Sequence, residues 1–211
     1  MKTPQEYLDK DFNITPCGNY KDGKYNPKAP KLKEWQKNKA TLRDFNGKDN
    51  IGIIWDTHFD IDVDNPIAKH FVPLYLKPSS AIYGRDSNKR SHFLFKGTTD
   101  DKEFALPKEF EPWCKKFSHG NTLIEIRSGF GQQSLGPGSK IGDNPGIGEE
   151  VKWEVLEGIS IYDGDILEDV SKIAFATAMT ILYPSGGNRD NYCYAIACIL
   201  AKGTNWSDSE I

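Results

Sequence analysis

The run Phe59–Pro66, FDIDVDNP, places three aspartates at alternate positions. In an extended strand successive side chains point to opposite faces. Phe59, Ile61 and Val63 therefore share one face, and Asp60, Asp62 and Asp64 share the other. Three carboxylates on one face repel each other unless a cation sits among them. Hard divalent cations take such oxygen ligands, usually with substrate phosphates completing the shell. The alternative is an edge strand whose acidic face is simply solvated. What the rest of the chain presents to that face decides between the two.

With 211 residues, 37% of them hydrophobic, the chain can bury a core, which suggests one main domain and a small appendage. The formal charge of −3 is unevenly spread. Residues 20–43 carry eight basic side chains (Lys21, Lys24, Lys28, Lys31, Lys33, Lys37, Lys39 and Arg43) against Asp22 and Glu34. Residues 143–169 carry nine acidic side chains against Lys152 alone. A basic flank beside an acidic site suits a protein that steers a polyanion past a metal centre; a solvated lysine-rich surface has the same composition. Cys17, Cys114, Cys193 and Cys198 are scattered without C-x-x-C spacing, which argues against a zinc ribbon or a disulfide framework and for reduced thiols. No apolar run reaches the length of a membrane span, and MKTPQEYLDK has no signal-peptide core. The expectation is a soluble cytoplasmic protein, or one of the host cytoplasm if the source is viral.

Taken in order, residues 4–10 predict a short helical turn and FNITPCG an extended piece ending at Gly18. KDGKYNPKAPKLKEWQ, rich in turn formers, predicts a surface loop leading to a short helix near Trp35. NIGIIW (50–55) predicts a buried strand separate from the aspartate strand. Asn65 and Pro66 open a helix, IAKHFVPLYL, that Pro73 should kink or end. AIYG (81–84) and SHFLFK (91–96) predict a hairpin across RDSNKR, with Phe93 and Phe95 opposite His92 and Leu94. A helix is expected around Phe110–Phe117. LIEIR (123–127) follows as a strand, with Glu125 and Arg127 on one face and Ile124 and Ile126 on the other. SGFGQQSLGPGSK (128–140) predicts glycine-rich turns around a short strand at Gln133–Leu135. Its Ser139-Lys140 end offers amides, a hydroxyl and an ammonium to phosphate, although it is not a P-loop. KWEV (152–155) predicts a last strand. From Asp165 the pattern becomes helical: one segment to Pro184, a second, NYCYAIACILAKG, ending at Gly203, and a third beginning in NWSDSEI. The third stops within its first turn, which reads as a piece cut from a longer protein.

An acidic strand (Asp60-Ile61-Asp62), a strand headed by histidine (Arg90-Ser91-His92-Phe93), a strand with a single acid (Ile124-Glu125-Ile126-Arg127) and a Gln-Gln-Ser…Pro-Gly-Ser turn follow one another in that order. The arrangement resembles the archaeo-eukaryotic primase superfamily, in particular the primase-polymerase domains of phages, plasmids and archaeal viruses, over most of residues 10–155. Lys28-Ala29-Pro30 followed by Lys33-Glu34-Trp35-Gln36 resembles the entry segment of these domains. Gly187-Asn188-Arg189-Asp190 and Asn205-Trp206-Ser207 resemble the helical domain that often follows. Three positions depart from the pattern. Arg90 stands where the family has serine, with Ser91 displaced by one; Gly-Pro-Gly-Ser replaces Pro-Pro-Ser; and Lys140 stands where a histidine is often found.

The resemblance implies an α+β fold: a primase-polymerase core (1–165) with an RRM-like antiparallel sheet carrying the metal site, then the truncated start of a helical bundle (166–211). It implies template-dependent nucleotidyl transfer, as a DNA primase or polymerase, on a single-stranded DNA template with a primer and dNTP or NTP. The setting would be a larger replication protein of a mobile element, with room for a helicase domain C-terminal to this piece. Asp60, Asp62 and Glu125 would be catalytic and would hold two divalent ions, Mg²⁺ or Mn²⁺. Asp64, about 7 Å further along the strand, is the reserve ligand. His92, Arg127, Ser139, Lys140, Ser91 and Arg90 would contact nucleotide. Two rival readings stand beside this. One is a different Asp-x-Asp metal enzyme, such as a glycosyltransferase or nuclease; the other is a non-catalytic nucleic-acid-binding replication-initiator module. Neither rival enzyme accounts for the histidine strand and the Glu-Ile-Arg strand in this order.

Overall fold

The computed structural model describes residues 1–21, 23–110, 120–184 and 186–203. The chain is α+β, with a large antiparallel sheet and few helices. The strands are β1 (Ile14–Lys21), β2 (Lys24–Pro30), β3 (Asn50–Asp62), β4 (Ala81–Arg85), β5 (Asn88–Lys96), β6 (Lys102–Ala105), β7 (Thr122–Leu135), β8 (Lys140–Asn144), β9 (Ile147–Glu150) and β10 (Lys152–Leu156). The helices are α1 (Pro4–Leu8), α2 (Pro66–Tyr75), α3 (Ile166–Leu182) and α4 (Arg189–Gly203). Eight strands form one sheet in the order β10-β4-β5-β3-β1-β2, with β7 on β3 and β6 on β7; β8 and β9 make a separate ribbon.

β3 is the centre of this arrangement. The two strands expected at residues 50–55 and 59–64 are one strand, and Asp64 lies beyond its end. β7 runs along one edge of β3 for nearly its full length. The other edge is shared, β1 pairing with Asn50–Ile53 and β5 with His58–Asp62. The middle is irregular. Between Ile54 and Trp55 the partner on β7 jumps from Gln133 to Gly129, whereas from Trp55 to Asp60 it moves only to Arg127. Such bulges change which residues share a face. Ile51, Ile53 and Trp55 therefore lie in the core on the same side of the sheet as Asp60 and Asp62, although the parity has switched.

Each face of the sheet has its own core. On one, Phe59, Ile61, Val63, Phe93, Phe95, Ile124 and Ile126 pack against α2 and α3. On the other, Tyr7, Phe12, Trp55, Tyr83 and Leu94 pack together. α2 starts as the sequence predicts: the Asn65 side chain accepts from the N–H groups of Ile67 (2.9 Å) and Ala68 (3.4 Å), and Pro66 occupies the first turn. It runs past Pro73 for two residues, because only the amide bond back to the preceding turn is lost so near the helix end.

Several expectations are corrected. Residues 24–30, read as a surface loop, form β2, which closes a hairpin on β1, and the chain around Trp35 is a turn rather than a helix. The glycine-rich segment after Arg127 continues as strand to Leu135. β6, β8 and β9 were not anticipated. Residues 111–117 of the helix expected at Phe110–Phe117, and the third C-terminal helix, lie outside the described residues.

The boundary expected at 165/166 coincides with the N-cap of α3, where the Asp165 side chain accepts from Glu168 N–H (3.0 Å). The buried stripe of α3 (Ile166, Val170, Ile173, Ile181) belongs to the same core as Phe59 and Phe95. Burying one such side chain contributes about 1.5–3 kcal/mol, and a whole domain is stable by only about 5–15 kcal/mol. A version ending at Glu157 is therefore expected to lose cooperative thermal unfolding by circular dichroism, whereas one ending at Pro184 keeps it.

Candidate functional site

The strand order β5-β3-β7 puts three motif strands side by side. Asp62 lies directly across from His92 on one edge of β3 and from Glu125 on the other, and Asp60 lies across from Arg127. All five side chains rise from the face opposite α2 and α3. Alternation alone brings them together, because Ile61, Phe93, Ile124 and Ile126 between them point into the helix-side core.

Asp60 is fully buried. Its Oδ2 accepts from Ser134 Oγ (2.9 Å) and lies 2.8 Å from His92 Nδ1, while its Oδ1 is buried without a hydrogen-bond partner. Asp62, 4% exposed, faces the Arg127 guanidinium through Oδ2 (2.6 Å to Nη2), and its Oδ1 is likewise buried without a hydrogen-bond partner. The same Arg127 Nη2 lies 2.6 Å from Glu125 Oε2, so one nitrogen bridges the two acids. Arg127 Nη1 donates to Ser134 Oγ (3.1 Å), which also accepts from Trp55 Nε1 (3.2 Å). Ser134 is thus the hub under the cluster. Buried carboxylate oxygens without a donor are costly and call for a physical explanation.

Burial pushes the Asp62 carboxyl up to about 6, against the pull of His92 and Arg127, with Asp64 and Asp60 adding to the rise. Burial also opposes charge on His92, but Asp60 and Asp62 outweigh it and hold the imidazole above its ordinary value. Arg127 is likewise held charged: burial works against it, and Asp62 and Glu125 more than compensate. His92 stacks on Tyr83, with ring centroids 4.4 Å apart, which fixes the plane of the ring. Its Nδ1 faces Asp60, leaving Nε2 for a ligand.

A small cleft of about 50 Å³ opens over the cluster, lined among others by Asp62, Asp64, Ser91, His92 and Arg127. Lys28, from the basic flank, and Arg85 and Asn88, from the β4–β5 turn, stand around it. Asp64 accepts from Asn88 Nδ2 (2.5 Å). Ser91 is buried, and its carbonyl accepts from Val63 N–H (2.7 Å). Other expected contacts lie elsewhere. The Ser139 hydroxyl is buried and bonded to the backbone of Ile51, accepting from its N–H (2.9 Å) and donating to its carbonyl (3.3 Å), so it pins β3 to the turn after β7. Lys140 is exposed at the start of β8, and its N–H donates to Asn50 Oδ1 (2.8 Å). Arg90 turns to the other side of the hairpin, 6.0 Å over the Phe93 ring.

Among the described residues no group of three His, Cys, Asp or Glu side chains is set around one point as a metal would need. The reason is visible at Arg127, which occupies the space between Asp62 and Glu125. The two unpartnered oxygens fit a cation; for Glu125 to share it, Arg127 has to withdraw. Ser134, Trp55 and Tyr83 were not singled out in the sequence. Ser134 falls in the short strand expected at Gln133–Leu135, but its meeting with Asp60 and Arg127 depends on the bulges between β3 and β7. The Tyr83–His92 pairing depends on a register shift after Tyr83 that no alternation rule supplies. The chain matches no family model, no curated protein and no solved structure.

The pH dependence of stability follows from the cluster. A carboxyl raised in the folded state favours folding while protonated, so its contribution is present below about pH 4 and is lost as pH rises through about 6. His92, also raised, adds stability below about pH 6.5 that is lost above its folded value. Asp62→Asn is expected to flatten the fall in urea-derived stability between about pH 4 and pH 6. An unchanged slope would mean that Asp62 is not buried as described.

Proposed function

We propose that the Asp60–Asp62–Glu125 face is the centre of a two-cation nucleotidyl transferase of the primase-polymerase kind, acting on a nucleic-acid template. The observation that carries this is the pair of buried, unpartnered carboxylate oxygens, Asp60 Oδ1 and Asp62 Oδ1, on neighbouring same-face positions beside a histidine and a second acid. Asp60, Asp62 and Glu125 would hold Mg²⁺ or Mn²⁺. Bound there, the cations would supply activation of a primer hydroxyl and neutralisation of the leaving pyrophosphate.

The chain's own groups have distinct parts. Asp60 orients His92 through Nδ1 and favours its charged form, in which Nε2 can donate to a phosphate oxygen. Arg127, when it leaves Asp62 and Glu125, carries a permanent planar donor into the same cleft, where it suits phosphate. Ser134 anchors the pivot of that movement, because it touches both Arg127 and Asp60. Lys28 and Arg85 add positive charge at the margin of the cleft, favouring entry of a polyanion. One observation favours a second reading. Arg127 already neutralises Asp62 and Glu125, as it would in a nucleic-acid-binding module that retains the fold without the chemistry.

Asp60→Ala, Asp62→Ala and Glu125→Ala are each expected to lower nucleotide incorporation by about 10³-fold or more while leaving the melting profile cooperative. The check is primer extension on a DNA template with Mg²⁺ or Mn²⁺. Near-normal extension by either aspartate variant would remove the assignment, and absence of triphosphate-dependent thermal stabilisation in the parent protein would favour the binding module.

His92→Ala is expected to raise the apparent KM for triphosphate by about tenfold, as loss of one charge-assisted hydrogen bond implies. Affinity for template should change little. Unaltered nucleotide kinetics with a lowered Tm would assign His92 to holding Asp60 in place.

A further inference from the structure

On the helix side of the sheet, a groove of about 410 Å³ lies between α2 and the β4–β5 hairpin. Leu76 and Phe93 contribute to an apolar floor, and Lys69, Lys77, Lys89 and Arg90 stand around it. No acidic side chain is among the described residues that line it. The hairpin is shaped to present these cations. Arg90 has a left-handed backbone (φ 50°), a conformation uncommon for a non-glycine residue, and its N–H donates to Glu154 Oε1. Gly84, opposite, is approached so closely that a Cβ there would lie 2.6 Å from the Asn88 carbonyl oxygen and 2.8 Å from Arg90 N. The bulge carries the Arg90 guanidinium over Phe93, away from the acid cluster.

The groove and the candidate active-site cleft meet at one turn. Lys69 Nζ donates to Asn88 Oδ1 and to the Lys89 carbonyl (2.7 Å), and Asn88 Nδ2 donates to Asp64 at the edge of the cleft. Consecutive residues therefore serve different sides: Asn88 lines the cleft, and Lys89 and Arg90 line the groove. We infer that the groove seats single-stranded nucleic acid, the template strand, on its way across the β4–β5 turn to the acid cluster. This rests on the function proposed above. The seat would take a base against the apolar floor and the Arg90 plane, and phosphates along Lys77 and Lys89. A compact triphosphate fits less well, because the C-terminal half of α2 turns the negative end of its dipole toward the groove. A strand instead places a base there and keeps its phosphates at the rim.

The test is fluorescence anisotropy with fluorescein-labelled oligothymidylate, without metal, over a range of salt concentrations. It compares the parent chain, Lys77→Glu/Lys89→Glu, and the charge-matched control Lys10→Glu/Lys108→Glu. The groove variant should bind about tenfold or more weakly, and its slope of log affinity against log salt should shrink by about 1.4, since each lost single-strand phosphate contact removes roughly 0.7. The control should keep the parent slope, and matching thermal melts exclude misfolding. An unchanged slope in the groove variant overturns the inference, as does an equal loss in the control. Selective loss of dTTP binding, with oligonucleotide binding intact, would also overturn it and make the groove a nucleotide pocket. Asp60→Asn separates the two readings: if it binds oligonucleotide normally and the parent incorporates no nucleotide with any divalent metal, the proposed function fails while the groove stands.

Discussion

Two carboxylates are buried in the central strand of a sheet, and the rest of the site is arranged around that fact. Asp60 and Asp62 cannot be left alone in the interior, where an unpaired charge costs several kcal/mol even after relaxation. Each neighbouring strand answers with a basic side chain: β5 supplies His92 and β7 supplies Arg127. The answer is incomplete, because two oxygens receive no donor. A partly satisfied buried polar network is poor material for stability, and this one lies beside a cleft lined by Asp62, His92 and Arg127, which is why the proposed function is placed there.

The architecture separates the tasks. At the C-terminal end of β3, Phe59 and Ile61 lie in the apolar core with α2 and α3, whereas Asp60 and Asp62 point to the other face, where the N-terminal segment around Tyr7 and Phe12 packs beside Trp55. Because β7 spans nearly all of β3 while β1 and β5 divide the opposite edge, the charged positions are braced on both sides by backbone hydrogen bonds. The helices expected to form a separate module begin with one that belongs to this brace, since α3 lies on the apolar side of the strands that hold the acids.

Where alternation is strict, the sequence was informative. Phe59–Val63, Ser91–Lys96 and Leu123–Arg127 each show their two faces directly, and those three runs supply Asp60, Asp62, His92, Glu125 and Arg127. Elsewhere other physics prevailed. β2 carries Pro27 and Pro30, which are tolerated because it is the edge strand, yet the same prolines make the segment read as a loop. The switch of parity between Trp55 and Asp60 is a tertiary matter, set by matching bulges on two strands distant in sequence. Ser139 shows the limit of reading by residue type: a hydroxyl among glycines suits a phosphate, and it suits a backbone junction equally well.

Ser134 joins Trp55, Arg127 and Asp60 through a single oxygen. The Trp55 indole, fully buried, is thereby wired to the one group that must move if the acids are to be uncovered. An excited indole is sensitive to nearby charge, so the sheet contains its own optical gauge. With the other four tryptophans replaced by phenylalanine, the emission of this buried indole would report whether the guanidinium stays docked on Asp62 and Glu125 or, as the proposed function requires, withdraws.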